Sequence, residues 1–239
     1  MTNLLYLDRK ECWDKFQKLG FTSITPEQII PATYAMAKYL VCELPHVTEV
    51  LVIGSSGMCR ELELHGLTVH TSFPDITNEA TFAQLEVNPT IGAVVVGYDF
   101  TWTYSKLAYA SLCIQHNNCP LLVTSRDAFD QLKDRRIPGM TALVNGLEAC
   151  TGKEATVVGK PSKWLIDHLI STHELNPKRT CMIGDRLDSD MVFGHNGKLT
   201  KVLVLTGCTS ASQVEALKES ESPTYPHILL SSLASLEGK

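Results

Sequence analysis

"CMIGDRLDSDMVFG", residues 181–194, decides how the chain is read, because a short apolar run ends in glycine and is followed by Asp185, Asp188 and Asp190 within six positions. A strand closing at Gly184 delivers Asp185 to the carboxyl edge of a parallel sheet, the rim at which open α/β folds bind ligands. Carboxylates this close repel one another unless a cation or a positive helix end sits among them, and an all-oxygen donor set suits Mg²⁺. The residues alone also allow a plainer account, in which Asp188 or Ser189 caps a helix starting near Asp190 and the others face water.

Upstream, "VVGKPSKW" (157–164) passes from a β-branched stretch through Gly159 and Lys160 to Pro161, which can begin a helix but not continue one. Lys160 is thereby held at a turn, where an ammonium can pair with a phosphate as a point charge, although a solvated lysine is the commoner fate.

The rest of the chain alternates apolar strands with helical patterns, the signature of βα units. Strands are expected at 49–54, 67–71, 92–98, 120–125, 180–184 and 201–207, and their continuous Val, Ile and Leu content predicts sheets covered on both faces. Helical faces are carried by Leu107, Ala110 and Ile114, and by Trp164, Leu165, His168 and Leu169. Asp8 with Glu11 predicts a capped first helix ending at Gly20, and Pro31 places the next helix start near Ala32.

Composition narrows the function classes. A formal charge of −5 with scattered Lys and Arg offers no track for a phosphodiester backbone, so nucleic acid is not an expected partner. No window reaches the roughly 18 apolar residues of a membrane span, and the acidic first turns lack a secretory pattern, so a cytoplasmic location without membrane association is expected. Eight cysteines lie in apolar contexts without a C-x-x-C pair, as reduced buried thiols do. Cys113, His116 and Cys119 could be drawn as a metal site, but no fourth ligand is evident and a helix end accounts for them.

The order strand, "GKPS", helix, "CMIGDRLDSDMVFGHNGKLTKVLVLTG" resembles the second half of a haloacid dehalogenase-type phosphatase, in the phosphoglycolate, 4-nitrophenyl phosphate and pyridoxal phosphate branch. "RKECWDKFQKLGF" (9–21), "YAMAKYL" (34–40), "VVVGYDFTWTYSKLAYA" (94–110), "IPGMTALVNGLEACTG" (137–152) and "VVGKPSKWLI" (157–166) are similar to that branch in the same order. The resemblance implies an α/β fold: a Rossmann-like parallel-sheet core from residues 1–20 and 156–239, lacking its N-terminal strand, with an α/β cap inserted over 21–155. It further implies Mg²⁺ as cofactor, a small phosphorylated metabolite as substrate and a homodimer formed through the cap.

In that family an aspartate attacks phosphorus and a second, two residues on, moves the proton. By the same resemblance Lys160 neutralises the phosphoryl charge, Asp185 ligates the metal, Asp190 orients that ligand, and Thr2 supplies the phosphate-binding hydroxyl. The D-x-D motif that the family places before this threonine does not occur among these residues; the only D-x-D is Asp188 to Asp190. The expectation is a chain that does not turn over substrate by itself, with a cap-mediated binding or dimerisation module as the alternative. The absent strand would leave neighbouring core strands unpaired and forfeit several buried aliphatic side chains, at roughly 1.5–3 kcal/mol each.

On the substrate-facing cap loop, Thr124, Ser125, Arg126 and Asp127 stand where the family often has Thr-Asn-x-Asp, and Met140 and Thr141 where Thr and Gly are usual. Arg126, Asp127 and Met140 are therefore the expected specificity positions. Two other motifs are set aside: Asp99 follows an apolar strand but has Thr101 two residues on, and "GSSG" (54–57) lacks the Lys-Ser/Thr of a nucleotide loop and reads as a strand-to-helix turn.

Overall fold

The computed structural model describes residues 6–132, 134–217 and 222–236. Thr2 lies outside the described residues. In chain order the elements are α1 (Arg9–Lys18), α2 (Ala32–Glu43), β1 (Glu49–Ile53), α3 (Ser56–Leu64), β2 (Thr68–His70), α4 (Glu79–Ala83), β3 (Ala93–Val96), α5 (Tyr104–His116), β4 (Leu121–Val123) and β5 (Phe129–Leu132). They continue with β6 (Arg135–Pro138), α6 (Met140–Thr151), β7 (Thr156–Val157), α7 (Lys163–Thr172), β8 (Cys181–Gly184), α8 (Val192–Asn196), β9 (Thr200–Val204), α9 (Ala211–Glu215) and β10 (Ile228–Leu230). Packing divides them into two compact units: the first reaches Ala128 and resumes over Pro138–Gly159, and the second comprises Phe129–Ile137 and the chain from Lys160 onward. These units group α1 with the segments before Ala128, and β5 with the segments after Lys160.

The first unit is built on a five-stranded parallel sheet in the order β2-β1-β3-β4-β7. Its central strands are apolar along their whole length because helices cover both faces, and Val50, Leu51, Val94, Val95, Leu121 and Leu122 are all buried. Tyr109, Ile114, Val144 and Leu147 from α5 and α6 close one side of this core. The predicted cap of α1 is present: Glu11 N–H donates to Asp8 Oδ1 (2.7 Å) and Asp8 N–H to Glu11 Oε2 (3.0 Å). Arg60 Nε donates to the other Asp8 oxygen at 2.8 Å, tying α1 to α3. Ser55 of the "GSSG" turn caps α3 by accepting from Met58 N–H (3.2 Å) and donates to the Tyr6 carbonyl (2.7 Å), so the turn is engaged by protein rather than by an anion.

In the second unit β10-β9-β8 form a three-stranded parallel sheet, and β5 pairs with β6. Coverage on both faces holds here only for β9, whose Val202, Leu203 and Val204 are buried. Met182 and Ile183 of β8 are half-buried and Ile228 and Leu229 of β10 are exposed, because among the described residues each of these strands is an edge. Half-burial of an apolar β8 is what an unpaired neighbour position produces. On α7 the fully buried residues are Leu165 and Ile166, while Trp164 and His168 stack on each other at 5.0 Å between ring centroids, half-exposed. The expected helix at Asp190 begins two residues later; Leu187–Met191 form a single π-helical turn that runs into α8.

Candidate active site

The end of β8, the π turn and the entrance to α7 converge on one carboxylate. Asp190 is buried at 2% exposure, and each of its oxygens is used. Oδ1 accepts from Lys160 Nζ at 2.5 Å, and Oδ2 accepts from the backbone N–H groups of Asp185 (3.0 Å) and Arg186 (3.2 Å). Asp190 thus joins Lys160 to the backbone that presents Asp185. The carboxylate packs so closely on β8 that a Cβ at Gly184 would overlap it, which explains a glycine as the last residue of the strand.

Asp185, the first residue past the strand, is half-buried and held by one oxygen: Oδ2 accepts from Cys208 N–H at 2.8 Å. Gly207 repeats the logic of Gly184, since a Cβ there would collide with the Asp185 carboxylate. Among the described residues Oδ1 carries no hydrogen bond. A fixed carboxylate with one oxygen to spare suits Mg²⁺, which takes one or two carboxylates and completes its shell with waters and phosphate oxygens. No group of three metal-binding side chains exists among the described residues, so Asp185 would be a single protein ligand from within them. Cys113, His116 and Cys119 accordingly form no metal centre; Cys113 and Cys119 are buried in the first unit and Cys119 Sγ donates to the Cys113 carbonyl.

Neither Asp188 nor Ser189 caps a helix through its side chain. Asp188 instead receives Arg186 in a two-pronged pair, Nε to Oδ1 at 3.0 Å and Nη2 to Oδ2 at 2.8 Å. The remaining Arg186 nitrogen, Nη1, donates to the Phe129 carbonyl at 3.1 Å, and the guanidinium stands 5.6 Å from the centre of the Phe129 ring. Sequence reasoning missed Arg186 and Phe129. The only signal for Arg186 was its place between two aspartates, and Phe129 lies in a polar stretch that gives no strand pattern.

Burial, reinforced by the Asp185 charge, raises the Cys208 thiol, so it stays protonated at neutral pH and is not an attacking group. Burial likewise pushes the Asp130 carboxyl up, against the pull of Arg186. Asp99, set aside from its sequence, is consumed structurally. Burial opposes its ionisation, but bonds from Lys106 (2.6 Å) and from Thr101 N–H and Oγ1 (both 2.8 Å) outweigh it and lower its pKa.

The three expected specificity residues belong to the first unit. Arg126 pairs with Glu148, Asp127 is buried with its carbonyl accepting from Thr141 N–H at 3.2 Å, and Met140 is fully buried beside Val144 and Leu147 in the apolar core. The structure therefore brings Lys160, Asp185 and Asp190 together, and gives Arg126, Asp127 and Met140 roles in holding their own loop.

Comparison with known proteins gives the family. Residues 157–236 match the model of HAD-hydrolase-like proteins and residues 1–68 that of haloacid dehalogenase-like hydrolases. Phosphoglycolate phosphatase 2 of Arabidopsis thaliana is 37% identical over 231 residues, covering 94% of this chain and 77% of the relative. Human chronophin is 33% identical over 234 residues, covering 95% and 76%. Among solved structures, a thermostable NPPase double mutant from Geobacillus stearothermophilus superposes with a TM-score of 0.78 at 26% identity, covering 99% of this chain and 83% of that one. A Mycobacterium tuberculosis glycerol phosphate phosphatase in complex with magnesium does so at 0.77 and 25%, covering 95% and 63%. With its Lys160–Asp190–Asp185 cluster at the end of a parallel strand, the chain belongs to the haloacid dehalogenase-like hydrolase family, in the branch of the phosphoglycolate and 4-nitrophenyl phosphatases.

Proposed function

We propose that these residues form the charge-handling half of a Mg²⁺-dependent phosphomonoesterase site acting on a small phosphorylated metabolite. The observation that carries this reading is the shared carboxylate: Asp190 holds Lys160 and the Asp185 backbone at once. Lys160 and Arg186 face Asp185, Asp188 and Asp190, leaving one negative charge in excess. A divalent ion on Asp185 reverses that excess and lets a phosphate dianion enter beside Lys160. When bound, Mg²⁺ supplies charge neutralisation to the transferring phosphoryl group. Lys160 contributes a fixed ammonium, Asp190 keeps it aimed, and Cys208 N–H fixes the Asp185 plane.

In this reading Thr2 adds the phosphate-binding hydroxyl, residues 1–20 and 156–239 correspond to the core, and 21–155 to the cap. Arg126, Asp127 and Met140 act on substrate choice by shaping the loop they hold. No aspartate among these 239 residues stands where the family's nucleophile does, so these residues by themselves are proposed to bind phosphate without turning esters over. The decisive experiment is a titration with inorganic phosphate: Mg²⁺-dependent binding in the wild type, lost in Lys160→Met, supports the site, and equal binding in both proteins contradicts it.

A second reading is dimerisation through the cap in the cytoplasm. It is favoured by Phe100 at 81% and Tyr104 at 70% exposure, two aromatic side chains four residues apart in the chain of the first unit. Among the described residues no helix is long and apolar enough to cross a membrane. Phe100→Asp is expected to shift the chain from dimer to monomer in sedimentation velocity; an unchanged sedimentation coefficient removes this reading.

A further inference from the structure

Within the first unit, the end of β2, the crossover that leads from it to β3, and α5 line a cavity of about 330 Å³. That volume reaches the roughly 300–1,000 Å³ of small-molecule sites. Phe73, Leu85, Ile91 and Tyr109 give it an apolar wall, with the Phe73 and Tyr109 rings edge to face at 6.3 Å. No residue of the cavity takes part in the proposed phosphate site.

The polar lining offers acceptors and negative charge. Asn88 is spent on the protein: its N–H donates to Tyr109 Oη at 3.4 Å and its Oδ1 accepts from Thr90 N–H at 3.0 Å. Behind His70 stands Glu49, whose carboxyl is held below the usual carboxylate range by bonds from Thr90 Oγ1 and His70 Nε2, both at 2.7 Å. With its proton on Nε2 toward that carboxylate, the neutral His70 ring keeps Nδ1 as an acceptor. Glu86 and Ser72 are exposed, and among the described residues neither side chain has a hydrogen bond or ion pair.

The crossover, residues 71–90, carries Asp75, Glu79 and Glu86 and no Lys, Arg or His. Lys106, whose ammonium stands 5.7 Å from the centre of the Phe73 ring, is closed on Asp99 at 2.6 Å and does not line the cavity. A bound anion would therefore meet like charge without a cation to answer it, whereas a bound ammonium has three donors and finds Glu86, Ser72 Oγ and His70 Nδ1 to take them.

We propose that this cavity is a binding site for a small organic cation, an amine carried on an apolar body. The body packs against Leu85, Ile91 and the two aromatic rings, which also favour a neighbouring positive charge, and Glu86 at the rim supplies the counter-ion.

The test is a set of amide NMR titrations of the full chain at low ionic strength with phenethylamine, phenethyl alcohol and hydrocinnamate, which share one body and differ in charge. Phenethylamine is expected to move the amide signals of Ser72, Phe73, Glu86 and Asn88 and to bind about fivefold more tightly than the alcohol, as one exposed ion pair allows. Added salt should shrink that preference. Glu86→Gln, at an exposed position that the fold should tolerate, is expected to bring amine and alcohol to equal affinity. Equal affinity already in the wild type, a preference that survives Glu86→Gln, or hydrocinnamate binding as tightly as the amine overturns the assignment. Signals of these four residues that stay still under all three compounds overturn the site itself.

Discussion

The 239-residue chain, given Mg²⁺ and 4-nitrophenyl phosphate, is expected to release no 4-nitrophenol above the buffer rate. Covalent phosphoryl transfer in this family needs a carboxylate in line with the leaving oxygen and a second to move the proton. Among the described residues the site has neither to give. Asp190 is fully engaged by Lys160 and two backbone N–H groups, and Asp185 is fixed by Cys208 N–H at the proposed metal position. Asp188 is closed on Arg186, and Cys208 is kept protonated by burial. Removing a nucleophile while leaving binding groups intact lowers turnover by on the order of 10⁶-fold, beyond the reach of a colorimetric assay. Turnover that Asp185→Asn abolishes would show that one of these carboxylates is free to attack, and would refute the assignment.

Asp190→Ala is expected to destabilise the second unit by about 3–5 kcal/mol, the cost of stranding a buried charge. Lys160 is 7% exposed and would lose its counter-ion, and the Asp185 and Arg186 N–H groups would lose their acceptor. Urea unfolding followed through Trp164, the tryptophan of this unit, reads the loss directly. The pair is coupled, so Lys160→Met together with Asp190→Asn should recover part of the stability lost by Asp190→Ala alone. A loss below about 1 kcal/mol would place the pair among exposed ion pairs and remove its structural role.

Much of the fold could be read from local pattern. Each of the six expected strands is present, because runs such as "EVLVI" and "AVVV" lie in the parallel sheets, and the cap at Asp8 and the start after Pro31 follow from short-range bonding. What escaped depends on tertiary partners. "FDQL" and "RRIP" have no alternation, and pair with each other only in the fold. "ILL" at β10 is too short to rank as a strand by itself.

The site shows the same division. Lys160, Asp185 and Asp190 were legible through their order along the chain, whereas Gly207 and Cys208 matter only because β9 runs beside β8 and returns them to Asp185. Met140, expected as a specificity position, lies at the start of α6 and is fully buried in the core, a placement that its apolar side chain does not announce in sequence.

The central claim is spatial: one place on this molecule holds both a divalent ion and a phosphate, with Asp185 on the ion and Lys160 on the anion. Crystals soaked with Mn²⁺ and inorganic phosphate test it most directly through the anomalous signal of the metal. The account predicts a manganese peak against Asp185 Oδ1 with phosphate density reaching Lys160, and no peak at that place in Asp185→Asn. Manganese settling elsewhere, or phosphate bound away from Lys160, would contradict it.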